Sequence, residues 1–509
     1  MTGGGASPAG IGSRRRRVED PPLVQGRGPY AGDVHAEGLA HLVALRSPLG
    51  HARIVRMDVT QARAAPGVLT IWTAADLPAQ ARHLAEDRVP PGLEAFPRPV
   101  LAHRTVRYTG EILAAVVAET AAAAQDAAEA VDVELESLPA AGSLEAAIAE
   151  GTPLVHPELA TNVGFQGEAA FGDAEAAFAD APVVVHRRLR LGRVQGAAIE
   201  PRATTAKPDG PEVWVWTSTQ SVFSVRERVA HALGIEPEQV VVVAEDVGGG
   251  FGPKGRTYPE EILTVLAAAH LGRPVRFVAT RSEDSASTVH GHGTLFDVSL
   301  AADRDGRLRG LRGAFWHDAG AYASIGAGIP VNIAAHMVSG YRLPAMRIRH
   351  HVVFTNGAPT GTVRGGGRPE GDFVIERLMD ALADTLSLPR DDVRRRNLIP
   401  VSEMPYATGL RSGPMVQVYD SGDYAHLLGA AVRRMGPAEA PPSGWVAGVG
   451  LAFASSRRGS GAARPPACES CPTGPWSCAS GRRRRARDTR RWPGRSSRSD
   501  WAGRSNGFR

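Results

Sequence analysis

At 509 residues, 43% of them hydrophobic and 22% charged, the chain is long enough for several domains with cores of their own. The formal net charge of +5 is unevenly placed: residues 455–509 hold fourteen arginines against Glu469, Asp488 and Asp500, which leaves the body before them mildly acidic. That body has no basic stripe for nucleic acid, no apolar run of membrane-spanning length, and no cysteine with which to hold an iron–sulfur cluster.

Cys468, Cys471 and Cys478 all fall in the basic tail, where no histidine lies near enough to complete a zinc site. At the other end, Arg14 to Arg17 run into Glu19, Asp20 and two prolines, with no apolar segment behind them. Residues 1–17 therefore read as a disordered leader without a secretory or twin-arginine signal, and the cytoplasm is the expected compartment.

From 17 to 38 the sequence reads as an extended lead-in. AHLVALR from Ala40 and ARIVRMDV from Ala52 are expected strands, parted by Ser47, Pro48 and Gly50, and VLTIW from Val68 is a third. The proline-rich piece Val89 to Pro99 is a surface connection. ILAAVVA from Ile112, an alanine-rich helix from Thr120 to Ala130 and the alternating VDVEL from Val131 predict a closing βαβ-like unit. These elements make an α/β domain over 18–140, and 141–162 reads as a linker crossing the surface.

The second block runs from 163 to 400. VVVHRRLRLGRV and VWVWTSTQ, the latter from Val213 to Gln220, are expected strands. Val222, Val225, Val229 and Leu233 form one apolar helical stripe, stopped by Gly234. Next comes VVVVAEDVGGGFGPKG, Val240 to Gly255: a buried strand of β-branched residues, then a turn with almost no side chains. A helix is predicted from Pro259, with Glu260 and Glu261 in its first turn and Ile262, Val265, Leu266 and Ala269 on one face. Gly250, Gly252 and Gly255 satisfy G-x-G-x-x-G, and Glu283 follows the next strand, so a dinucleotide site is one reading. Pro253 stiffens the turn and the gap to the helix is long for that fold. A different phosphate-bearing cofactor, or a turn that binds nothing, fits the local residues equally well.

Asp303 to Gly306 mark a hairpin turn. A strand through Val352 leads to a second glycine run, TVRGGGRPE, Thr362 to Glu370. A long helix follows, with Val374, Leu378, Leu382 and Leu386 on one face, and Arg394 to Asn397 end it. Each glycine run follows a strand and has a cation beside it, Lys254 or Arg364. One polar ligand held from two sides would account for the pair; two ordinary turns would as well.

Taken in order, these stretches resemble a known family. VGGGFGPK, the EPR of Glu200 to Arg202, STQ ending at Gln220, TRSE at Thr280, DAGAY at Asp318, VFTN and VRGGGRPE occur in the order of the molybdopterin-binding large subunit of the xanthine dehydrogenase and aldehyde oxidase family. RVEDPPLVQGRGPY and ALRSPLGHARI before them, and RRRNLIP and YDSGDY after them, extend the match over 18–453. The resemblance implies an α/β (α+β) fold: an a/b-hammerhead domain, then the first half of a molybdopterin-binding domain, then over 401–454 the start of its second half. It implies carbon hydroxylation of a small-molecule substrate, an aldehyde or N-heterocycle, with water as the oxygen source. The cofactor implied is molybdenum-molybdopterin (Mo-pyranopterin), with FAD and 2Fe-2S centres on partner subunits, in a dimer of heterotrimers. Carried over by position, Gln220, Gly249, Gly250, Phe251, Gly252, Arg364, Gly365 and Gly366 face the cofactor, and no side chain of this chain is expected to ligate the metal. Gly366 stands where some members carry a large aromatic, which implies an open pocket. The loop lacks the cysteine of the carbon-monoxide branch, and Gly255 replaces the glutamate of the purine enzymes. His290 and His292 are candidates to line a substrate channel, or ordinary hydrogen-bonded histidines.

Beyond Phe453 the pattern changes. Residues 455–509 contain no Leu, Ile, Val, Met or Tyr, so they are expected to be disordered. They read as an out-of-frame end or, alternatively, as a basic tail for an anionic partner. The family's general-base glutamate has no counterpart here, so the catalytic residue is unknown and this chain alone is expected to be inactive. The rival readings are a non-catalytic fragment that needs a separately encoded second half, and an NAD-dependent dehydrogenase.

Overall fold

The computed structural model describes residues 17–454 apart from 85, 87–88, 413–414 and 436–440; the leader to 16 and the whole basic tail lie outside the described residues. Alternation and β-branching place five of the first strands as expected, β1 (Ala40–Arg46), β2 (Ala52–Asp58), β3 (Val68–Trp72), β5 (Ile112–Ala118) and β6 (Asp132–Ser137), and the fold adds the two-residue β4 (Thr105–Val106). β5 is buried along its whole length, matching its unbroken apolar run. The helix between β5 and β6 spans Ala121–Glu129, with the Thr120 hydroxyl accepting from the Ala123 amide as its N-cap. The closing unit is not βαβ. β5 joins one sheet, while β6 pairs antiparallel with β2 in a separate three-stranded sheet. The lead-in is also not fully extended, since Asp20–Val24 forms a short helix with two prolines in its first turn.

The second block contributes β7 (Val163–Phe171), β8 (Val183–Val194), β9 (Ala203–Asp209), β10 (Glu212–Thr217), β11 (Val240–Val243), β12 (Val275–Val278), β13 (Gly291–Ala302), β14 (Leu308–Gly320) and β15 (Met346–Phe354). β9 to β12 build a seven-stranded sheet with the N-terminal strands, in the order β11-β10-β9-β12-β1-β5-β3. β1 lies parallel to β12, Leu42 opposite Phe277, so hammerhead and second block share one sheet. β11 is an edge strand whose Val241, Val242 and Val243 are only partly buried, contrary to the buried strand expected. The two antiparallel strands β10 and β9 separate it from β12, so strand, glycine loop, helix and strand do not form an adjacent-strand nucleotide-binding unit.

The other sheet has the order β7-β15-β14-β13-β8. Its core includes Phe296, Phe315, Met346 and Ile348, packed against Ile333 and against Val374, Leu378 and Leu382. The helix carrying those last three spans Arg368–Leu386 and ends at Ser387 in left-handed backbone. Arg394 to Asn397 belong to a new helix, Arg390–Asn397, because Pro389 interrupts the first. The segment 141–162 does not cross the surface freely. Ala141, Leu144 and Val155 are buried, and the buried Asn162 carbonyl accepts from the Phe354 amide at 2.8 Å. Over 401–454 lie a hairpin, Tyr406–Ser412 with Met415–Tyr419, and a helix, Tyr424–Met435. Phe453 then packs its ring against Tyr341 and Tyr424. Among the described residues no helix is long and apolar enough to cross a membrane.

Candidate cofactor site

The two glycine runs meet. The Arg364 amide donates to the Phe251 carbonyl at 2.8 Å, which joins the loop after β11 to the loop after β15. The loops also crowd together at Gly252, where φ is +107° and an added Cβ would run into the Thr362 carbonyl. Only glycine allows that contact. Phe251 also has positive φ, +53°, and its ring is 42% exposed. The pair of loops is therefore one structure, approached by solvent from the Phe251 side.

Gln220 leaves β10 three residues past the strand's end and reaches the first loop. Its side-chain carbonyl accepts from the Gly252 amide at 2.8 Å, and its backbone N–H donates to the Lys254 carbonyl at 2.8 Å. With Oε1 so fixed, Nε2 is left as a donor. A Cβ at Gly250 would lie 2.5 Å from that side-chain carbonyl group, so the loop backbone and Gln220 form one wall. The amides of Gly250, Phe251 and Gly365 make no hydrogen bond among the described residues. Gly365, Gly366 and Gly367 all have positive φ, and the 19-residue helix Arg368–Leu386 starts directly behind them. Its N-terminus adds roughly half a positive charge on the same side. Exposed Arg364 adds a full one. This donor set contains no anion-repelling carboxylate at its face and no thiolate or imidazole for direct metal ligation. It fits an anionic cofactor gripped through its own acceptors. Gln220, Gly250, Phe251, Gly252, Arg364, Gly365 and Gly366 are thus brought together. Gly249 lies behind them, its amide spent on the Val247 carbonyl at 2.9 Å.

Lys254 does not face the cleft. It is 3% exposed and donates inward to both the carboxylate and the carbonyl of Glu200 at 2.8 Å. Burial pushes its ammonium down from the ordinary lysine value, while Glu200 works against that shift. Only Arg364 of the two cations remains for a ligand. His290 hydrogen-bonds the Ser285 carbonyl at 3.0 Å, and His292 Nδ1 lies 2.7 Å from buried Glu370. Both histidines are thus engaged in structural contacts. The hydrogen bond and charge of Glu370 raise the His292 imidazole from its usual value, against burial.

Two supporting residues escaped the sequence reading. Asn332 donates to the Gly366 carbonyl from the helix Ile329–His336, and the Thr362 carbonyl abuts Gly252. An asparagine inside the otherwise apolar IPVNIAA was a legible signal, because Asn is a poor helix-interior residue without a partner elsewhere. Thr362 gave none. A cavity of about 400 Å³ lies elsewhere, lined by His83, Phe223, Ser224, Glu227 and His231. It is distinct from the cleft between the loops.

A molybdopterin cofactor-binding domain matches residues 155–398, and the a/b hammerhead domain of aldehyde oxidase and xanthine dehydrogenase matches residues 25–139. The chain belongs to the molybdopterin-binding large subunits of the xanthine dehydrogenase and aldehyde oxidase family, a family of molybdenum-pyranopterin oxidoreductases. It is 36% identical over 426 residues to the nicotine 6-hydroxylase large subunit of Paenarthrobacter nicotinovorans, a match covering 82% of this chain and 51% of that protein. The crystal structure of quinoline 2-oxidoreductase from Pseudomonas putida 86 superposes with a TM-score of 0.76 at 34% identity, covering 84% of this chain and 54% of that one. The chain spans about half the length of these two relatives. A third, the nicotinate dehydrogenase large molybdopterin subunit of Eubacterium barkeri, is 29% identical over 388 residues, and the match covers 76% of this chain and 89% of that subunit.

Proposed function

We propose that this chain supplies one side of the cofactor grip in a cytoplasmic molybdenum hydroxylase, which oxidises a ring carbon of an N-heterocycle, or an aldehyde, with water as the oxygen source. The observation that carries the reading is the 2.8 Å hydrogen bond from the Arg364 amide to the Phe251 carbonyl, with Gln220 locked beside it by Gly252. Bound there, the cofactor supplies two-electron oxidation of the substrate carbon. Gln220 Nε2 and the free amides of Gly250, Phe251 and Gly365 orient it as neutral donors, and Arg364 offsets its negative charge. Gly366 places no aromatic side chain against the ligand; a Cβ there would instead meet the Thr362 methyl at 3.0 Å. The nicotine and quinoline enzymes named above favour the heterocycle over the aldehyde. Such an enzyme would use 2Fe-2S and flavin subunits as electron acceptors, assembled as a dimer of heterotrimers.

A second reading has support of its own: the chain works with a separately encoded second half that closes the cleft and brings the general base. The Eubacterium subunit, matched over 89% of its length, is a relative of comparable extent. Trp445, Val446 and Val449 are 73%, 97% and 55% exposed, an apolar strip that such a partner would cover. Tested without it, the 509-residue chain is expected to fall short of a complete enzyme by the ~100- to 10,000-fold that a general base contributes.

The test is co-expression with a polypeptide carrying the second molybdopterin-binding half and with iron–sulfur and flavin subunits. Molybdenum is then measured, and quinoline or nicotine is oxidised in ¹⁸O-labelled water. Bound molybdenum near one per chain and label in the product support the reading. No metal, or oxygen drawn from dioxygen, overturns it. A nicotinamide-dependent dehydrogenase would reveal itself by NADH binding, and none is expected.

A further inference from the structure

The first glycine loop begins and ends on one side chain. The Gly248 amide donates to Glu200 Oε2 at 2.7 Å, and Lys254 Nζ donates to the same oxygen at 2.8 Å. The Glu200 backbone repeats the grip. Its amide donates to the Gly248 carbonyl at 3.1 Å, and its carbonyl accepts from Lys254 Nζ at 2.8 Å. Everything between these two anchors is the cofactor-facing turn. The far anchor reaches further still: the Lys254 carbonyl accepts from the Gln220 amide at 2.8 Å and from the Thr219 hydroxyl at 3.1 Å.

We propose that Glu200 is the positioning residue of the site, a carboxylate clamp that sets the donors of the first loop before the cofactor arrives; this rests on the cofactor reading above. The turn holds three consecutive glycines, Gly248 to Gly250, and glycine loses more conformational freedom on ordering than any other residue. Left unpinned, such a turn samples many arrangements, and the cost of ordering it falls on cofactor binding. With both ends fixed to one oxygen, the Gly250 and Phe251 amides and the Gln220 side-chain amide are held in one arrangement. Glu200 does this from inside the protein, its other carboxylate oxygen buried and without a hydrogen-bond partner among the described residues. Its Oε2 is occupied by the two loop donors, and Lys254, which carries the far end, is 3% exposed.

The test compares the parent with E200Q and with the double variant E200Q/K254M. Gln can still accept from the Gly248 amide, but in the single variant buried Lys254 loses its anionic partner, so that variant folds less stably. The double variant removes the stranded charge, isolating the clamp from the fold. Its Tm is expected to stay within about 4 °C of the parent. Hydrogen exchange across 248–255 is expected to speed up by about tenfold or more, while the amides of helix Pro259–Leu271 keep parental rates. In the assembled enzyme, retained molybdenum is expected to fall to about a third or less of the parent's, since loosened donors bind more weakly. Parental exchange over 248–255 in the double variant overturns the clamp. Uniformly faster exchange with a large fall in Tm also overturns it, because Glu200 would then serve the fold alone. A parent that holds no molybdenum sinks the cofactor reading, while the exchange rates still decide the clamp.

Discussion

Several residues singled out by motif hold the molecule together and never face the cofactor. Arg202, from the EPR motif, forks onto Glu260 at 2.9 and 3.0 Å, donates to Ser287 at 2.7 Å, and lies over the Tyr258 ring at 4.0 Å. Glu260 also accepts from Arg46 at 2.7 Å, and Arg46 pairs with Glu283 of TRSE at 2.9 Å. Burial alone would raise the Glu260 carboxyl, but Arg202 and Arg46 hold it well below the usual carboxylate range. E260Q takes from Arg202 and Arg46 the carboxylate they share and leaves them Asp284 and Glu283, so urea titration should show a loss of ~1–3 kcal/mol. Protonation provides a second check. Burial pushes His317 down to about 4, so it stays neutral when folded and is charged below about 6.5 when unfolded. Its contribution is present above the unfolded value and lost as pH falls through the folded one, about 3 kcal/mol in all. Burial pushes Glu261 the other way, up to about 7, so its contribution is present below its unfolded value and lost as pH rises through neutrality. Between these windows the two proton balances oppose each other, so the parent's stability should be nearly flat from about pH 4.5 to 6.5, whereas H317N, left with Glu261 alone, should lose stability as pH rises. Equal acid slopes in the two proteins would remove His317 from the account.

At the scale of elements, the meeting of the two loops depends on what stands behind each. The first is pinned between the end of β10 and the helix from Pro259, whose Tyr258 amide donates to Glu261 at 2.7 Å in a capping box. The second is carried by β15 and the 19-residue helix Arg368–Leu386, with Asn332 bonded to Gly366 from a neighbouring helix. G252V therefore meets two obstacles, a positive φ and the Thr362 carbonyl. The variant should lose ~1–3 kcal/mol of stability. It should also break the hydrogen bond from Arg364 to Phe251, seen as faster exchange of the Arg364 amide. N332A removes one supporting bond and should cost about 1 kcal/mol, with the loop loosened and not rebuilt. If the Arg364 amide exchanged in G252V at the parental rate, the two loops would not depend on contact at Gly252.

On the scale of the whole molecule, the shared sheet couples the two matched domains. β1 supplies the parallel neighbour of β12, and Arg46 crosses from β1 into the ion cluster around Glu260. Residues 155–398 expressed alone would leave the inner edge of β12 unpaired. They would also uncover the core in which Leu42, Ile112 and Val117 pack with Ile262 and Phe277. That fragment should be insoluble or aggregate, whereas 17–454 should remain in solution; sedimentation after lysis distinguishes them. A soluble, monomeric 155–398 would mean that the hammerhead is an independent attachment.

Most of the strands, the two glycine runs and the family were legible in the sequence alone. Alternation, β-branching, capping residues and ordered motifs are local properties, and a local signal survives without knowledge of the fold. Three-dimensional packing is what puts β1 and β5 in a sheet with β9 to β12, anchors 141–162 along the second sheet, and turns Lys254 inward to Glu200. Those outcomes depend on partners far away in the chain. Whether a lysine meets a ligand or a buried carboxylate is fixed by what packs against it, and its neighbours in sequence carry no record of that.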